Sequence, residues 1–532
     1  MARSHHTQGR LGLAEGCYRQ VLSLDANNVE ALHLLGVVAL QSNAVDEALK
    51  LIKRAVRKNP RDPAMFVNLG AAHRKANQLA EARDAYAAAV KLAPNLADAH
   101  FNLCKVLLDL EEAEAAVVAG QKCVTLDPLR AEGHLILGNA YKQTGDKSRA
   151  LAAYEEALRL GPRLVEAYGN IAAVYIDRCE FQRALEFLNQ GLAIDPSPGD
   201  VRVKRAMVLL RMGELGQGWD DYEGRYTAEF ERMARFPTPP PYWEGEDLSD
   251  KTILLWCEQG IGDSIIYASM IADVVARARA CIIECTPRMV PVFARSFPTA
   301  KVVAYQSQKM PTTPASEFDT QISITSLGRF FRRNMADFPL RQSYLKADPM
   351  RAAALRTRYQ AIAPGNLIVG LSWRSKNERM GETKSADLAD WSDVLNVPGV
   401  TFVNLQYGDC AADLKAVKEK CGVDVVQDPE VDSMKNMDDF FAQVAAMDLV
   451  ITTSNTTVHV AGSLNVPAWL ILNTSLSSLW YWFLDRTDSP WYPSVRIVRR
   501  PAGEADMNTA DWWRPAVAEI GKALAEKVQG RG

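Results

Sequence analysis

The stretch from Pro128 to Pro162, PLRAEGHLILGNAYKQTGDKSRALAAYEEALRLGP, decides the fold of the first half of this chain, because both of its ends belong to a series. Ala26, Pro60, Pro94, Pro128, Pro162 and Pro196 follow one another at intervals of 34 residues. Small residues keep that interval at Gly36, Gly70, Cys104, Gly138, Ala172 and Ala206, where two helices must approach closely. A second small series runs Ala14, Ala48, Ala82, Ala116, Ala150, Ala184 and Gly218. Bulky residues follow it four positions later, at Tyr18, Ile52, Tyr86, Tyr154, Leu188 and Tyr222, with Gly120 as the one gap. A helical hairpin of this length cannot bury its own apolar face. Stacked hairpins bury a continuous core and leave a concave groove lined by the first helix of each.

These residues resemble tetratricopeptide repeats over roughly residues 2–226: a clipped first repeat, five full ones and a last one ending near Tyr226. The resemblance implies binding and no chemistry. A scaffold that only spaces or dimerises the other half is the competing reading.

The composition excludes several classes. With 532 residues and near-average apolar and charged fractions, the chain is a multidomain protein with material for several cores. A net charge of -3 gives no reason to expect nucleic acid or an anionic membrane as a partner. No apolar run reaches the roughly 18–20 residues that span a bilayer, and the N-terminus lacks a secretory apolar region. Nine scattered cysteines without zinc spacing point to a reducing, cytoplasmic location. Six of the seven histidines (His5, His6, His33, His73, His100, His134) lie in the repeats. A His-based zinc site or a Ser-His-Asp triad in the second half would have to use His459 alone, so both are set aside.

Phe236-Pro-Thr-Pro-Pro-Pro-Tyr-Trp243 ends the helical pattern and predicts an extended linker. Beyond it, β-rich runs alternate with helical stretches: Thr252–Trp256, Ala280–Cys285, Lys301–Ala304, Leu367–Trp373, Thr401–Leu405, Leu449–Thr453, Ala468–Leu472 and Val495–Val498. Such alternation predicts parallel sheets with crossover helices, here two α/β units with a break near 344–366 and a ligand cleft between them. A final helix is expected over Arg514–Gln529, with Pro515 in its first turn.

Three stretches carry the chemistry. Glu258-Gln-Gly-Ile-Gly-Asp-Ser264 follows a strand and opens a helix expected over Ser264–Arg277. Gly260 and Gly262 allow a tight turn and close approach by a ligand, and Asp263 falls at the sheet's carboxyl edge. Asp263 could equally be a helix N-cap. The motif lacks the third glycine of a dinucleotide fingerprint. Second, Arg374, Lys376, Arg379 and Lys384 place four cations in a short loop, which suits a diphosphate. Third, Thr452-Thr-Ser-Asn-Thr-Thr-Val-His-Val-Ala-Gly462 crowds hydroxyls and Asn455 at a helix N-terminus, where free N–H groups favour phosphate.

In these motifs and their order the chain resembles bacterial proteins that join tetratricopeptide repeats to a glycosyltransferase domain related to the heptosyltransferases of glycosyltransferase family 9. The resemblance also rests on Gly218–Tyr226, Tyr242–Glu246, Val397–Val403 and Asp488–Pro493. It implies an α-solenoid followed by the GT-B fold, two Rossmann-like α/β domains. The expected domains are a repeat superhelix over 1–230, a linker over 231–246, an acceptor-side domain over 247–350 and a nucleotide-sugar donor domain over 351–532. By that resemblance Asp263 is the general base. Lys384 or Arg374 matches the cations on the donor diphosphate, with Lys376 of the same loop also expected to bind the donor, and Ser454, Asn455, Thr456, Thr457 and His459 are its cradle. The family has Asp-Thr where this chain reads Ser454-Asn455. The implied reaction is an inverting, metal-independent transfer from a nucleotide-sugar to an acceptor hydroxyl, with no other cofactor. The acceptor would be Ser or Thr of a protein held in the repeat groove, flagellin being one candidate. The alternative is a repeat adaptor with an inactive transferase-like domain.

Overall fold

The computed structural model describes residues 1–226, 241–306, 312–340, 342–375, 385–472, 479–484, 486–499 and 513–530. The chain forms two compact bodies: Met1–Tyr175 with Glu186–Pro196, and Ile176–Leu185 with Ser197–Gly532.

The first body is a solenoid of antiparallel helical hairpins, such as Val29–Gln41 with Val45–Lys58 and Pro63–Lys75 with Leu79–Leu92. Helix starts follow local rules: Asp62 accepts a bond from the Ala64 N–H, and Pro63 occupies the first turn. The small and bulky series meet as partners 16 residues apart. A Cβ on Gly36 would lie 2.5 Å from Ile52, one on Gly70 2.7 Å from Tyr86, and one on Gly138 2.5 Å from Tyr154. The gap at Gly120 has a physical cause. Its partner is Cys104 rather than glycine, and a Cβ on Gly120 would come within 3.2 Å of the Cys104 Sγ, so the bulk has changed sides.

A further series appears only in the backbone. Asn43, Asn77, Glu111, Gly145, Cys179 and Gly213 all have positive φ, each 34 residues after the last, where one helix turns into the next. Asn and Gly tolerate that left-handed conformation; Glu111 and Cys179 hold it at a cost. Side chains 35 residues apart then bridge neighbouring hairpins. Arg74 pairs with Asp109 at 2.7 Å, Lys75 donates to the Leu40 carbonyl and Gln143 to the Leu108 carbonyl.

The second body holds two parallel sheets. β1 (Thr252–Trp256), β2 (Ala280–Cys285), β3 (Lys301–Ala304) and β4 (Thr320–Ser323) are ordered β3-β2-β1-β4. β5 (Leu367–Ser372), β6 (Val400–Asn404), β7 (Leu449–Thr453), β8 (Ala468–Leu472) and β9 (Val495–Arg499) are ordered β6-β5-β7-β8-β9. The all-parallel pairing and the almost continuous burial of the inner strands β1, β5 and β7 agree with an α/β region covered on both faces. One core joins the sheets, with Leu255, Ile283, Leu405, Val450 and Leu470 in the same cluster. The terminal helix Arg514–Gln529 closes the far face of the second sheet, through Val517, Ile520 and Leu524.

Three expectations change. β4 was not anticipated: Thr-Gln-Ile-Ser is short and polar, yet all four residues are buried. The helix after β1 does not run from Ser264 to Arg277; it is Ile261–Ala268, interrupted by bonds three residues back at Ser269 and Met270, then Ile271–Val275. The expected boundaries at 230 and 246 also shift. Pro237, Pro239 and Pro240 lie outside the described residues. Pro241–Trp243, however, pair along β4, with Tyr242 opposite Gln321, and Trp243 is buried against Phe330 at 4.4 Å.

The last hairpin, Gly199–Met212 and Leu215–Tyr222, belongs to this body and not to the solenoid's. Trp219 is fully buried, donates its indole N–H to the Arg332 carbonyl at 2.9 Å, and lies so close over Gly328 that no Cβ fits there.

Candidate functional site

The Glu258–Asp263 turn leaves the carboxyl end of β1, and the last hairpin holds it. The Glu258 carboxylate accepts bonds from Arg225 (3.0 and 3.1 Å), the Tyr226 hydroxyl (2.9 Å) and the Ser323 hydroxyl (2.8 Å). The Arg225 and Glu258 side chains are 3% and 2% exposed, so this ion pair persists only because its remaining hydrogen-bonding groups are also satisfied. Next to it, the Gln259 amide donates to the Tyr222 hydroxyl at 2.8 Å. Sequence reasoning missed Arg225 and Glu258 as a pair. They are 33 residues apart, with a proline-rich stretch between them that reads as a boundary.

Gly260 is the N-cap of Ile261–Ala268, so Asp263 is the third residue of the first turn and not the cap. Its carboxylate is half-buried and folds back to 3.3 Å from where a Gly260 Cβ would stand. A negative charge there agrees with the helix dipole. It also acts on the phenols around it. Burial first, then the Asp263 charge, holds Tyr481 well above the ordinary phenol range.

Across from this turn stands the helix Thr456–Ser463, which follows β7. Asn455 caps it, its Oδ1 accepting from the Thr457 N–H at 2.9 Å. The Asn455 amide N–H groups donate to the Ser372 hydroxyl (2.8 Å) and the Arg374 carbonyl (3.2 Å). A carboxylate would meet those two oxygens without a proton to give, which accounts for an amide at this position. Asn455 therefore ties the loops after β5 and β7 together. Thr457 is buried on the Ser372 hydroxyl, and the Ser454 hydroxyl accepts from the Trp482 indole at 3.0 Å. Of the expected cradle side chains, the partly exposed Thr456 lines open space.

Arg374 sits at the tip of β5, but its guanidinium pairs with Asp413 at 2.9 Å and donates to the Asp409 carbonyl. Lys376 and Lys384, together with Arg379, lie outside the described residues. His459 is 2% exposed and packed against Gly262, whose Cβ would lie 3.0 Å from its ring.

The open space where the two sheets' carboxyl edges meet has two adjoining parts. One, of about 110 Å³, is lined by Ile261 and Arg288 from the first sheet's side and by Tyr407, Met437, Thr456 and Thr457 from the second's. The other, of about 340 Å³, is lined by Asn404, Gln406, Tyr407, Gln427, Asp432 and Gln443 among others. Tyr407, Ser433, Met434 and Phe440 line both. Arg288 is the one cation among the described residues lining them, and it donates to the Met434 carbonyl across the gap at 3.0 Å. Thr286-Pro-Arg-Met289 carries no motif, which is why sequence reasoning passed over it.

In the first body, the first helices of successive hairpins line two adjoining hollows of about 720 and 560 Å³ that share Arg74 and Asp109. Asn102, Asn139 and Asn170 present amides there, with Lys105 and Glu166 beside them.

Models of the tetratricopeptide repeat match residues 1–64, 67–131 and 131–164. The Caulobacter vibrioides protein FlbA is 30% identical over an alignment that covers 96% of this chain and 80% of FlbA. Among solved structures, MamA is 22% identical, covering 30% of this chain and 95% of its own, with a TM-score of 0.29. YrrB, described as a TPR protein with an unusual peptide-binding site, is 18% identical, covering 35% of this chain and 95% of its own, with a TM-score of 0.31.

Proposed function

The chain belongs to the FlbA family, and we propose, from its own residues, that it is a glycosyltransferase whose tetratricopeptide repeats capture a protein acceptor. The observation that carries this reading is the gap between the carboxyl edges of two parallel sheets. Residues from both sides line it, and Asp263 stands two positions beyond Ile261 in the same turn. In this reading the larger part takes the donor's nucleoside among amide side chains. The smaller part takes its phosphates, against Arg288, Thr456 and the first turn of Thr456–Ser463. Asp263 removes the proton from a Ser or Thr hydroxyl as that oxygen attacks the anomeric carbon, and the nucleoside phosphate leaves with its electron pair. The polar, amide-bearing groove of the first body suits an extended polypeptide, whose own N–H and C=O groups need such partners.

The reading is tested by incubating the full chain with radiolabelled nucleotide-sugars and a lysate of cells lacking it, then following label into protein. Transfer that falls by about 10²–10⁴ in Asp263→Asn supports the base assignment. Full transfer by that variant removes Asp263 from the role. The adaptor reading has an observation of its own, since Arg374, Asn455 and His459 are all engaged within the protein. No labelled product with any donor would favour it.

A further inference from the structure

The Glu258 carboxylate stands five positions before Asp263, and its bonds come from two other segments. Its Oε1 accepts from Nε and Nη2 of Arg225 and from the Ser323 hydroxyl, and its Oε2 accepts from the Tyr226 hydroxyl. Ser323 ends β4, where it pairs with Trp256 at the end of β1. Arg225 and Tyr226 belong to the single helical turn Glu223–Tyr226 that follows the last hairpin. One carboxylate thus ties the ends of two strands to an element from the other side of the proline-rich stretch.

Arg225 is as firmly held as the group it binds. Its Nη1 donates to the Tyr222 carbonyl (2.9 Å) and the Glu223 carboxylate (2.7 Å), and its Nη2 also donates to the Ser326 and Tyr226 hydroxyls (2.5 and 2.6 Å). The Tyr222 and Tyr226 rings lie 4.5 and 4.1 Å from the guanidinium. A planar fork held in this way fixes direction as well as distance. Apolar side chains of the same size would often serve stability as well as a buried ion pair does. The turn that follows explains what the pair adds. Gly260 and Gly262 leave its backbone free to move, so its conformation must be imposed from outside. The Gly260 carbonyl accepts from both the Ser264 N–H (2.9 Å) and the Ser264 hydroxyl (3.0 Å), which makes it the attachment point of the helix carrying Asp263. Glu258 anchors the chain two residues before that carbonyl, and Gln259, bonded to Tyr222, anchors it again.

We infer that Glu258 is a positioning residue. Held by Arg225, Tyr226 and Ser323, it fixes the glycine-containing turn that presents Asp263 to an acceptor hydroxyl, so the element that closes the repeat series also completes the active site. Its effect on turnover rests on the glycosyltransferase reading, whereas the anchoring of the turn does not.

The test compares Glu258→Gln with Glu258→Ala in the full chain. The glutamine oxygen can stand where Oε1 does and keep three of the four bonds, and Glu223 remains as counter-charge to Arg225 in both variants. Native-state amide hydrogen exchange needs no substrate and is read first. In Glu258→Ala the Ser264 amide should exchange roughly tenfold faster or more, relative to the amides of β1, and in Glu258→Gln it should stay near the parent. No change at Ser264, or equal acceleration throughout β1, would overturn the anchor. Tyr226→Phe combined with Ser323→Ala keeps the ion pair and guards against a failure of Glu258→Ala to fold. It should quicken Ser264 in the same selective way, and an unchanged Ser264 would again overturn the anchor. In the label-transfer assay, Glu258→Ala should lower kcat roughly tenfold or more with donor KM unchanged, and Glu258→Gln should recover most of that loss. Parental turnover per folded molecule in both variants would make Glu258 purely structural. Turnover lost equally in both would make it a participant in the chemistry. Either result would overturn the positioning role. Absence of transfer by the parent chain with every donor would end the transferase reading and leave the exchange result to decide the anchor.

Discussion

The two bodies of this protein solve the same problem, burial of apolar helix faces, with contacts of opposite reach. In the solenoid, Gly70 meets Tyr86 sixteen residues away and Arg74 meets Asp109 thirty-five away, and each relation recurs at the next hairpin. In the α/β body, Trp219 covers Gly328 and its indole is bonded to Arg332, 113 residues distant, and nothing repeats. A contact that recurs can be found by aligning a sequence with itself. A contact made once leaves only a composition, such as an isolated tryptophan or an unremarkable arginine. The last hairpin has features of both. Its Gly218, Tyr222 and positive-φ Gly213 keep the repeat's period, while its Trp219, Tyr222 and Arg225 are committed to the neighbouring sheet.

That division is most severely tested by truncation. A chain beginning at Val165 keeps the last hairpin and the one before it, and should unfold in a single cooperative transition followed by circular dichroism. A chain beginning at residue 227 removes Trp219, Tyr222 and Arg225 and leaves Glu258 buried without its cation. We expect no cooperative transition from it, since breaking such a pair from one side costs about 3–5 kcal/mol by itself. Cooperative unfolding of the shorter chain would put the boundary back at 230.

Point substitutions should separate the bodies. Trp219→Ala is expected to cost about 3–5 kcal/mol in the α/β body, and Tyr154→Ala a similar amount in the solenoid. In urea titrations monitored by amide hydrogen exchange, each should lower protection mainly within its own body. Equal loss in both would mean that they unfold as one unit.

Alkaline pH sharpens the contrast less strongly. Burial pushes Tyr222 up to about 12 and holds Tyr267, Tyr481 and Tyr492 well above the usual range. The unfolded chain ionises these phenols near pH 10, so their contribution is complete below that pH and is lost as pH rises toward and beyond 12. The solenoid has Tyr86, also pushed up to about 12, and Tyr154 above the usual range. Both bodies should therefore weaken above pH 10, the α/β body more steeply. Parallel slopes would contradict the burial described for the aromatic cluster.

The smallest effect concerns the turn series. Glu111 has φ 62 at a position where its counterparts are mostly Asn or Gly. Glu111→Gly should stabilise the solenoid by about 1 kcal/mol, read as a shift in its urea midpoint. A destabilised variant would show that the Glu111 side chain contributes more than its backbone costs.

The same contrast explains what the sequence made legible. Periodicity located the hairpins, and β-rich runs located most strands, because both depend on neighbours. β4 escaped because its polar residues are buried by strands and loops far away in sequence. At the site, the strand–turn–helix pattern located the turn after β1 but not the helix start, which falls at Ile261 and takes Gly262 and Asp263 into the first helical turn. The roles of Asn455 and His459 could not be placed, since they depend on Ser372, Tyr481 and Tyr492, none of which the local sequence links to them. The run Trp480-Tyr-Trp-Phe483 was the available signal. Its four successive aromatics are difficult to reconcile with an exposed loop, and all four are buried.

The central claim, that the gap between the two sheets receives a nucleotide-sugar, is tested most directly by thermal unfolding of the full chain with UDP, GDP, ADP, CMP and their sugar conjugates. One nucleotide at about 100 times its dissociation constant should stabilise the α/β body by about 2.7 kcal/mol. That gain should shrink in Arg288→Ala. Unchanged unfolding across the whole panel, or a gain confined to the repeat body, would contradict the account.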